Sequence, residues 1–459
     1  MSIPVLMPAL SPTMTEGKLA KWHVKVGDAV KAGQVICEIE TDKATMEVEA
    51  VDEGTVAQIL IAEGTEGVAV NTPIVLLAAD GESAADAAKT APAAAPSAPS
   101  AEPKPRAPVA PLTAAPMRAA PAALQATAPA SEPEYTGKTV KMTVREALRD
   151  AMAEEMRKDG NVFLMGEEVA QYQGAYKVSQ GLLEEFGARR VIDTPITEHG
   201  FAGLGVGAAF GGLKPIVEFM TFNFAMQAID QIINSASKTH YMSGGQMTCP
   251  IVFRGPNGAA SRVAAQHSQC YASWYAHCPG MRVLSPWSAA DAKGLLKSAI
   301  RDPNPVIFLE NELLYGHQFE VPEDPDYVVP IGKAKIERAG KDVTIVTYGR
   351  YVAISLKAAD ELEKQGISAE VIDLRTLAPL DMDTVLASVS KTKKCVVVHE
   401  AARTCGPAAE IATRIHEEMH GQLRGPVRRV TGGDSPVPTS FPLLAAWYPT
   451  ADAIVAACK

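Results

Sequence analysis

The chain has 459 residues, 47% of them hydrophobic, and a mean hydropathy near zero, so it is globular and long enough for about two to four domains. No apolar run reaches the roughly 18 residues of a membrane span, and no basic segment precedes an apolar stretch at the start, so we expect neither a membrane nor a secreted protein. Seven scattered cysteines are typical of reduced thiols, which favours the cytoplasm. The net charge is −10, and residues 1–80 carry 5 Lys and no Arg against 12 Asp and Glu, which argues against nucleic acid as a partner.

Residues 1–80 contain a weak internal repeat. The segment GKLAKWHVKVGDAVKAGQVI aligns with GTVAQILIAEGTEGVAVNTPIV after one inserted residue. The aligned pairs are Gly17 with Gly54, Ala20 with Ala57, Val24 with Ile61, Gly27 with Gly64, Val30 with Val68 and Ile36 with Ile74. Each half offers short β-branched strands bounded by glycine, which predicts two similar small sheets packed face to face.

A hairpin is predicted where the two halves join, in EIETDKATMEV. Apolar residues alternate with polar ones on both sides of residues 41–44, so these four form the tip and present Lys43 to solvent. In an arbitrary turn, such a lysine would serve solubility.

The whole of residues 1–80 resembles the lipoyl domain of 2-oxo acid dehydrogenase complexes, through MPALSPTMTEGKLAKWHVKVGDAVKAGQVICEIETDKATMEVEA. In that family the lysine of the D-K-A turn carries lipoic acid in amide linkage. The resemblance therefore implies that Lys43 is the attachment site for covalent lipoate and is the target of a lipoylating enzyme. The related biotinyl domain usually has Met before its lysine, whereas this turn has Asp42, so lipoate is favoured over biotin.

Residues 81–136 are nearly all Ala, Pro and small polar residues. They have too little bulky apolar surface to offset the entropy of ordering, so we expect a flexible linker.

The rest of the chain alternates helical and strand patterns, which indicates an α/β architecture with a mostly parallel sheet. The strand patterns include VFLMGEEV, KPIVEFM, DVTIVTYG, SAEVIDL and KKCVVVHE, and a helix begins at Gly-Pro after the last of them. We place a domain boundary at about residue 325, which gives domains 137–325 and 326–459.

Residues 139–459 closely resemble the β subunits of the thiamin-diphosphate-dependent pyruvate dehydrogenase component. The matching segments include GEEVAQYQGAYKVSQGL, DTPITEHGFAGLGVGAA, EFMTFNFAMQAIDQIINSASK, AAQHSQCYASWYAHCPG and VIDLRTLAPLD. The resemblance implies a transketolase-like pyrimidine-binding domain followed by a transketolase C-terminal domain. It also implies oxidative decarboxylation of pyruvate and reductive acetylation of lipoyl groups, leading to acetyl-CoA.

Three side chains match the family's active-site residues. Glu198 of ITEHGF matches the glutamate that shares a proton with the aminopyrimidine ring of thiamin diphosphate. Phe224 of MTFNFAM matches the aromatic residue that stacks on that ring, and His267 of AAQHSQ matches the histidine of acyl transfer. Each has a structural alternative: a helix first turn for Glu198, core packing beside Phe219 for Phe224, and a structural role for His267.

The resemblance also implies a potassium ion held through carbonyl groups and a carboxylate. Its ligands carry over to Ile251, Ala299, Ile300, Asp302 and Asn304.

Half of the expected active site is missing. Single-chain relatives such as transketolase carry G-D-G followed by N-N to hold magnesium and the diphosphate, and this chain has neither. The resemblance implies that an α subunit supplies them in an α2β2 tetramer that works with a dihydrolipoyl acetyltransferase core and dihydrolipoyl dehydrogenase. A branched-chain 2-oxo acid or acetoin dehydrogenase β subunit, and a non-catalytic lipoyl carrier or scaffold, are the alternatives.

Overall fold

A computed structural model describes residues 2–8, 16–31, 33–40, 45–50, 52–78, 135–261 and 263–459. The predicted lipoyl lysine, Lys43, and residues 81–134 of the predicted linker lie outside the described residues. The chain divides into two compact units, Met1–Thr113 and Ala114–Lys459.

The smaller unit is built from short antiparallel strands. They are β1 (Ser2–Leu6), β2 (Glu16–Trp22), β3 (Ala29–Val30), β4 (Val35–Glu40), β5 (Thr45–Glu49), β6 (Gly54–Ile59), β7 (Val68–Ala69) and β8 (Pro73–Ala78). One sheet has the order β1-β8-β6-β3 and the other β5-β4-β2-β7. Exchanging β1–β4 with β5–β8 converts the first order into the second, so the predicted pair of similar sheets is confirmed.

The repeat extends to the core between these sheets. The aligned residues Val30 and Val68 are both buried, as are Ile36 and Ile74. Strands β4 and β5 pair with Glu40 opposite Thr45, so the residues between them, which include Lys43, connect two paired strands.

The larger unit contains strands and helices in alternation. Its strands are β9 (Thr139–Thr143), β10 (Val162–Gly166), β11 (Val191–Asp193), β12 (Lys214–Glu218), β13 (Val252–Pro256), β14 (Arg282–Leu284), β15 (Val306–Glu310), β16 (Gln318–Pro322), β17 (Lys335–Arg338), β18 (Val343–Thr347), β19 (Ala369–Asp373), β20 (Thr376–Ala378), β21 (Cys395–Ala402) and β22 (Arg428–Gly432). Its α-helices are α1 (Val144–Lys158), α2 (Leu182–Phe186), α3 (Glu198–Phe210), α4 (Ser237–Met242), α5 (Ala272–Ala276), α6 (Ala289–Arg301), α7 (Tyr351–Glu363), α8 (Met382–Thr392), α9 (Pro407–Glu418), α10 (Phe441–Trp447) and α11 (Ala451–Ala457). Short 3₁₀ turns span Phe224–Ala228, Ala265–His267 and Glu312–Leu314, and a π-helical turn spans Gln231–Ala236.

A seven-stranded sheet with the order β11-β10-β12-β13-β15-β14-β20 forms the first half of this unit. Strands β10 to β15 are parallel, as predicted, and β20 joins the edge antiparallel to β14. Every residue of β10, β13 and β15 is buried, which is typical of strands covered on both faces.

Alternate residues of β10 pack on opposite faces of this sheet, because side chains of a strand alternate. Val162 and Leu164 pack with residues of α1 and α6, whereas Phe163 and Met165 pack with residues of α3. The resulting three layers place the loops at the carboxyl ends of the strands over one edge of the sheet.

The second half of the unit has a sheet with the order β17-β19-β18-β21-β22, in which β17 is antiparallel and the others are parallel. The helix predicted after Gly-Pro is α9, which has Gly406 as N-cap and Pro407 in its first turn. The boundary predicted near residue 325 lies between β16 and β17. Among the described residues, no helix has both the length and the apolarity needed to cross a membrane.

Candidate active site

The three side chains selected from the sequence lie on segments that meet at the carboxyl edge of the seven-stranded sheet. Glu198 begins α3, Phe224 begins the 3₁₀ turn after β12, and His267 ends the short turn after β13. Helix α3 packs against the turn that carries Phe224. In parallel α/β sheets, this edge is where ligands bind.

Glu198 is buried, with 4% of its surface exposed, in the first turn of α3. The structural alternative treated it as an ordinary first-turn acid beside a Thr197 cap. However, Thr197 makes no side-chain cap bond, and its hydroxyl donates to the carbonyl of Pro195 at 3.4 Å. Burying a carboxyl group is costly when it merely complements a helix dipole, so a ligand-directed role is favoured.

A second buried carboxyl group, Glu167, is close enough to Glu198 to feel its charge and was missed from the sequence. Its Oε1 atom is buried and has no hydrogen-bond partner within the described part of the chain. Burial raises the pKa of Glu167, and the negative charge of Glu198 raises it further. The site therefore holds two buried acids that interact electrostatically, one with an unsatisfied oxygen, which is suited to binding a polar ring or a proton.

Phe224 and His267 are in direct contact. Their ring centroids are 5.2 Å apart and the rings are nearly perpendicular, at 88°. By contrast, Phe219 and Phe222 are fully buried and pack edge to face in the core, whereas Phe224 is half-buried and lies outside that cluster. Ordinary core packing therefore does not account for Phe224, whose ring instead contacts the imidazole of His267.

A buried ionic network supports the same edge of the sheet. The Arg254 guanidinium donates from Nε and Nη2 to Glu310 at 2.6 Å each, and its Nη1 contacts Glu218. The Tyr315 hydroxyl donates to Glu310 at 2.6 Å. Burial raises the pKa of Glu218, although Arg254 opposes this effect. The sequence analysis did not use the available signal, which is a charged residue at the end of two apolar strands, in IVEFM and IFLEN, and in the middle of a third, in VFRGP.

Four of the five residues predicted to hold potassium lie at or just after the end of α6, and Ile251 lies just before β13. The Asp302 carboxylate accepts from the Asn304 backbone at 2.8 Å and from its side-chain amide at 2.7 Å. The Ala299 carbonyl accepts from Asp302 N–H at 3.2 Å, and the Ile251 carbonyl accepts from Val306 N–H at 2.9 Å. Ile300 belongs to the same helical turn. Each carbonyl keeps a second lone pair.

Another carboxyl cluster, formed by Asp291, Glu337 and Asp373, has oxygens within 4.8 Å of one another. Arg375 Nη2 lies 2.5 Å from Asp291, and Lys335 Nζ lies 3.1 Å from Glu337. Burial raises the pKa of Asp373 well above its usual range. Because two basic groups already neutralise this cluster, it is better described as an ionic junction than as a metal centre.

Family models match nearly all of the described chain. Residues 140–318 match the transketolase pyrimidine-binding domain, and residues 332–454 match the transketolase C-terminal domain. Residues 3–77 match the biotin/lipoyl model, described as "Biotin-requiring enzyme".

Three curated relatives are named as β subunits of the pyruvate dehydrogenase E1 component. The protein from Rhizobium meliloti is 62% identical over 461 residues, covering 100% of this chain and 99% of the relative. The mitochondrial β-1 subunit from Arabidopsis thaliana is 59% identical, covering 71% of this chain and 90% of its own length. The mitochondrial subunit from Caenorhabditis elegans is 61% identical, covering 69% of this chain and 92% of its own length.

A solved structure titled "Split gene transketolase, inactive beta4 tetramer" superposes with a TM-score of 0.57 and 25% identity. The superposition covers 70% of this chain and 97% of the solved transketolase chain. This match agrees with the two transketolase-type domains of the larger unit.

Proposed function

Since the chain belongs to the family of pyruvate dehydrogenase E1 component β subunits, we propose that, with an α subunit, it oxidatively decarboxylates pyruvate and transfers the acetyl group to lipoyl groups. The observation that carries this proposal is the convergence of Glu198, Phe224 and His267 at one edge of the sheet. A scaffold that had lost catalysis would have no need to keep a buried carboxyl group on the helix that packs against the turn of the paired aromatic and imidazole rings.

The side chains present fit the aminopyrimidine half of thiamin diphosphate. The buried carboxyl of Glu198 is a proton partner for a ring nitrogen, and the half-buried ring of Phe224 offers an aromatic surface. When bound, this cofactor supplies the electron sink that decarboxylation of a 2-oxo acid requires. Glu198 holds and exchanges a proton at its carboxyl oxygen, and His267 holds or delivers a proton at its imidazole.

The α subunit completes the site. The chain lacks the G-D-G and N-N motifs that hold magnesium and the diphosphate in transketolase-type enzymes, so we assign these ligands to the α subunit. Exposed apolar side chains flank Glu198: Ile196 is 79% exposed and Leu204 on α3 is 61% exposed. Covering such residues with a partner would stabilise an α2β2 assembly and exclude water from the site.

The smaller unit is the proposed acyl carrier, with lipoate on Lys43 added by a lipoylating enzyme. Lys43 would hold the lipoyl group, whose dithiolane would supply the two-electron acceptor for oxidation of the 2-oxo acid and a sulfur to carry the acetyl group. A dihydrolipoyl acetyltransferase core and dihydrolipoyl dehydrogenase would be the partners that consume the acetyl group and reoxidise the dithiol. We propose that these reactions take place in the cytoplasm. We also propose a structural potassium ion at Asp302, Asn304 and the neighbouring carbonyl groups.

Pyruvate is the proposed substrate, since the full-length relative is named as a pyruvate dehydrogenase subunit. The test is co-purification with its α subunit, followed by oxidation assays with pyruvate, a branched-chain 2-oxo acid and acetoin. We expect turnover by the complex, with pyruvate preferred, and none by the chain alone. Activity of the isolated chain comparable with that of the complex would contradict the split site, and preference for another substrate would contradict the substrate assignment.

A further inference from the structure

The His267 turn is carried by a loop, residues 257–271, whose two ends are hydrogen-bonded to each other. Gly258 N–H donates to the Gln269 carbonyl at 2.9 Å, and Tyr271 N–H donates to the Asn257 side-chain oxygen at 2.7 Å. We call these joined ends, near residues 257–259 and 269–271, the loop base. Because His267 lies on the loop between them, its position depends on the position of the loop base.

The base of this loop is also connected to the residue before Phe224. Gln269 N–H donates to Asn223 Oδ1 at 3.3 Å, and the Tyr271 hydroxyl donates to the same oxygen at 3.4 Å. A shift of the loop base would thus change the position of His267 relative to Phe224.

Glu400, on β21 of the C-terminal domain, reaches this base from outside the domain that holds the loop. Its side chain is buried, with 7% exposure, and its Oε2 accepts from Ala259 N–H at 2.8 Å. Gly258 has φ +80°, and a Cβ atom there would lie 2.2 Å from Glu400 Oε1. Glycine therefore serves both the backbone conformation and the close approach of the carboxylate.

The surroundings of Glu400 do not explain its burial as a local salt bridge. Arg350 opposes the upward effect of burial on the pKa of Glu400, but the ion pairs found among the described residues do not join these two side chains. The neighbouring hydroxyls of Tyr351 and Tyr448 are themselves buried without a hydrogen-bond partner in the described chain. The positive charge of Arg350 and the hydrogen bond from Ala259 together offset the cost of burying the carboxyl group, and the hydrogen bond is the contact that joins it to the loop.

We propose that Glu400 is a positioning residue that fixes the His267 loop by accepting the Ala259 N–H, so that the C-terminal domain takes part in acetyl transfer. This inference rests on the proposed function, because it concerns the step at which the lipoyl group meets His267. Glu198 begins α3 and is held by that helix and not by the loop, so we expect the effect of Glu400 to fall mainly on acetyl transfer.

The test uses the complex of the full chain with its α subunit and compares two rates. One is decarboxylation coupled to an artificial electron acceptor, and the other is acetylation of a lipoylated domain. In Glu400→Ala, we expect the ratio of acetylation to decarboxylation to fall about tenfold, since small misplacements of reacting groups are costly. Glu400→Gln, whose amide oxygen can accept the same hydrogen bond, should restore the ratio to within about threefold.

Amide hydrogen exchange of the complex reports the contact without reference to activity. We expect faster exchange in residues 257–271 of Glu400→Ala and protection close to wild type in Glu400→Gln. Gly258→Ala, which pushes the loop from the carboxylate, should reproduce the fall in the rate ratio.

Glu370→Ala is the matched control. Glu370 is also buried, on β19 of the same sheet, where it accepts from Gly340 N–H at 3.1 Å and pairs with Lys391, and its hydrogen bonds among the described residues do not reach the loop. An unchanged rate ratio and loop protection in Glu400→Ala would overturn the inference, as would the same change in Glu370→Ala or a Gln variant that behaves like Ala. A wild-type complex inactive in both assays would instead contradict the proposed function itself.

Discussion

Low pH should lower the free energy of unfolding of the C-terminal domain, because His399, which precedes Glu400 on β21, becomes protonated more readily in the unfolded chain. The imidazole is fully buried, and its Nε2 accepts from Ala408 N–H at 3.1 Å, in the first turn of α9. Its ring also stacks near Tyr348, at 6.1 Å between centroids. A protonated ring would be a buried cation that could no longer accept this hydrogen bond. Burial therefore lowers the pKa of His399 from 6.5 to about 4, and the positive charge of Arg429 acts in the same direction.

The size of the effect follows from linkage. The unfolded chain binds a proton at His399 near pH 6.5, whereas the folded chain binds it near pH 4. The stability that depends on a neutral His399 is thus fully present above pH 6.5 and is lost as pH falls toward 4. One pKa unit corresponds to about 1.4 kcal/mol, so lowering the pH from 7.5 to 4.5 should reduce the free energy of unfolding by about 2 to 3 kcal/mol through this residue.

Urea unfolding of the full chain, followed by circular dichroism between pH 7.5 and 4.5, measures this loss. Carboxyl groups also titrate in this range, so the comparison is with His399→Gln, which can accept the same hydrogen bond but does not titrate. We expect wild type to lose about 2 to 3 kcal/mol more than the variant over this interval. Equal losses in both proteins would refute the assignment of acid sensitivity to His399.

Two further substitutions test the site and its support. In the complex with the α subunit, Glu198→Gln should slow deuterium exchange at the acidic carbon of thiamin diphosphate by at least about 100-fold with the fold intact, because an amide cannot share the proton. Exchange should stay normal in the exposed control Glu184→Gln. Normal exchange in both variants would remove Glu198 from the mechanism. Arg254→Leu should lower the free energy of unfolding by about 3 to 5 kcal/mol, since it leaves Glu218 and Glu310 buried without their cation. Urea unfolding near pH 7 measures this change, and a loss under about 1 kcal/mol would show that the two acids find other partners.

Local patterns in the sequence were sufficient to predict much of the fold. Glycine-bounded strands predicted the paired sheets of the smaller unit, because the repeat places Ile36 and Ile74 at equivalent core positions. The buried strands of the larger unit were recognisable as apolar runs. Glu198, Phe224 and His267 were identified through family resemblance, since their residue types alone fit ordinary structural roles.

The supporting contacts depend on which strands become neighbours, and no local pattern encodes this. Arg254 is 36 residues from Glu218 and 56 from Glu310, and its pairing follows from the adjacency of β12, β13 and β15. Glu400 lies 141 residues from Ala259, in another domain. Charged residues within or at the ends of apolar strands were visible in the sequence, but their partners were not.

The central claim is that one chain holds both catalytic residues and its own acyl acceptor. The most direct measurement is mass spectrometry of the peptide containing Lys43, from the α-assembled complex made in a lipoate-competent host and incubated with isotopically labelled pyruvate without coenzyme A. We predict lipoate on Lys43 and a labelled acetyl group on that lipoate, both lost in Lys43→Arg and kept in the control Lys31→Arg. An unmodified Lys43, or a lipoyl group that stays unacetylated while the complex decarboxylates pyruvate with an artificial acceptor, would contradict the account.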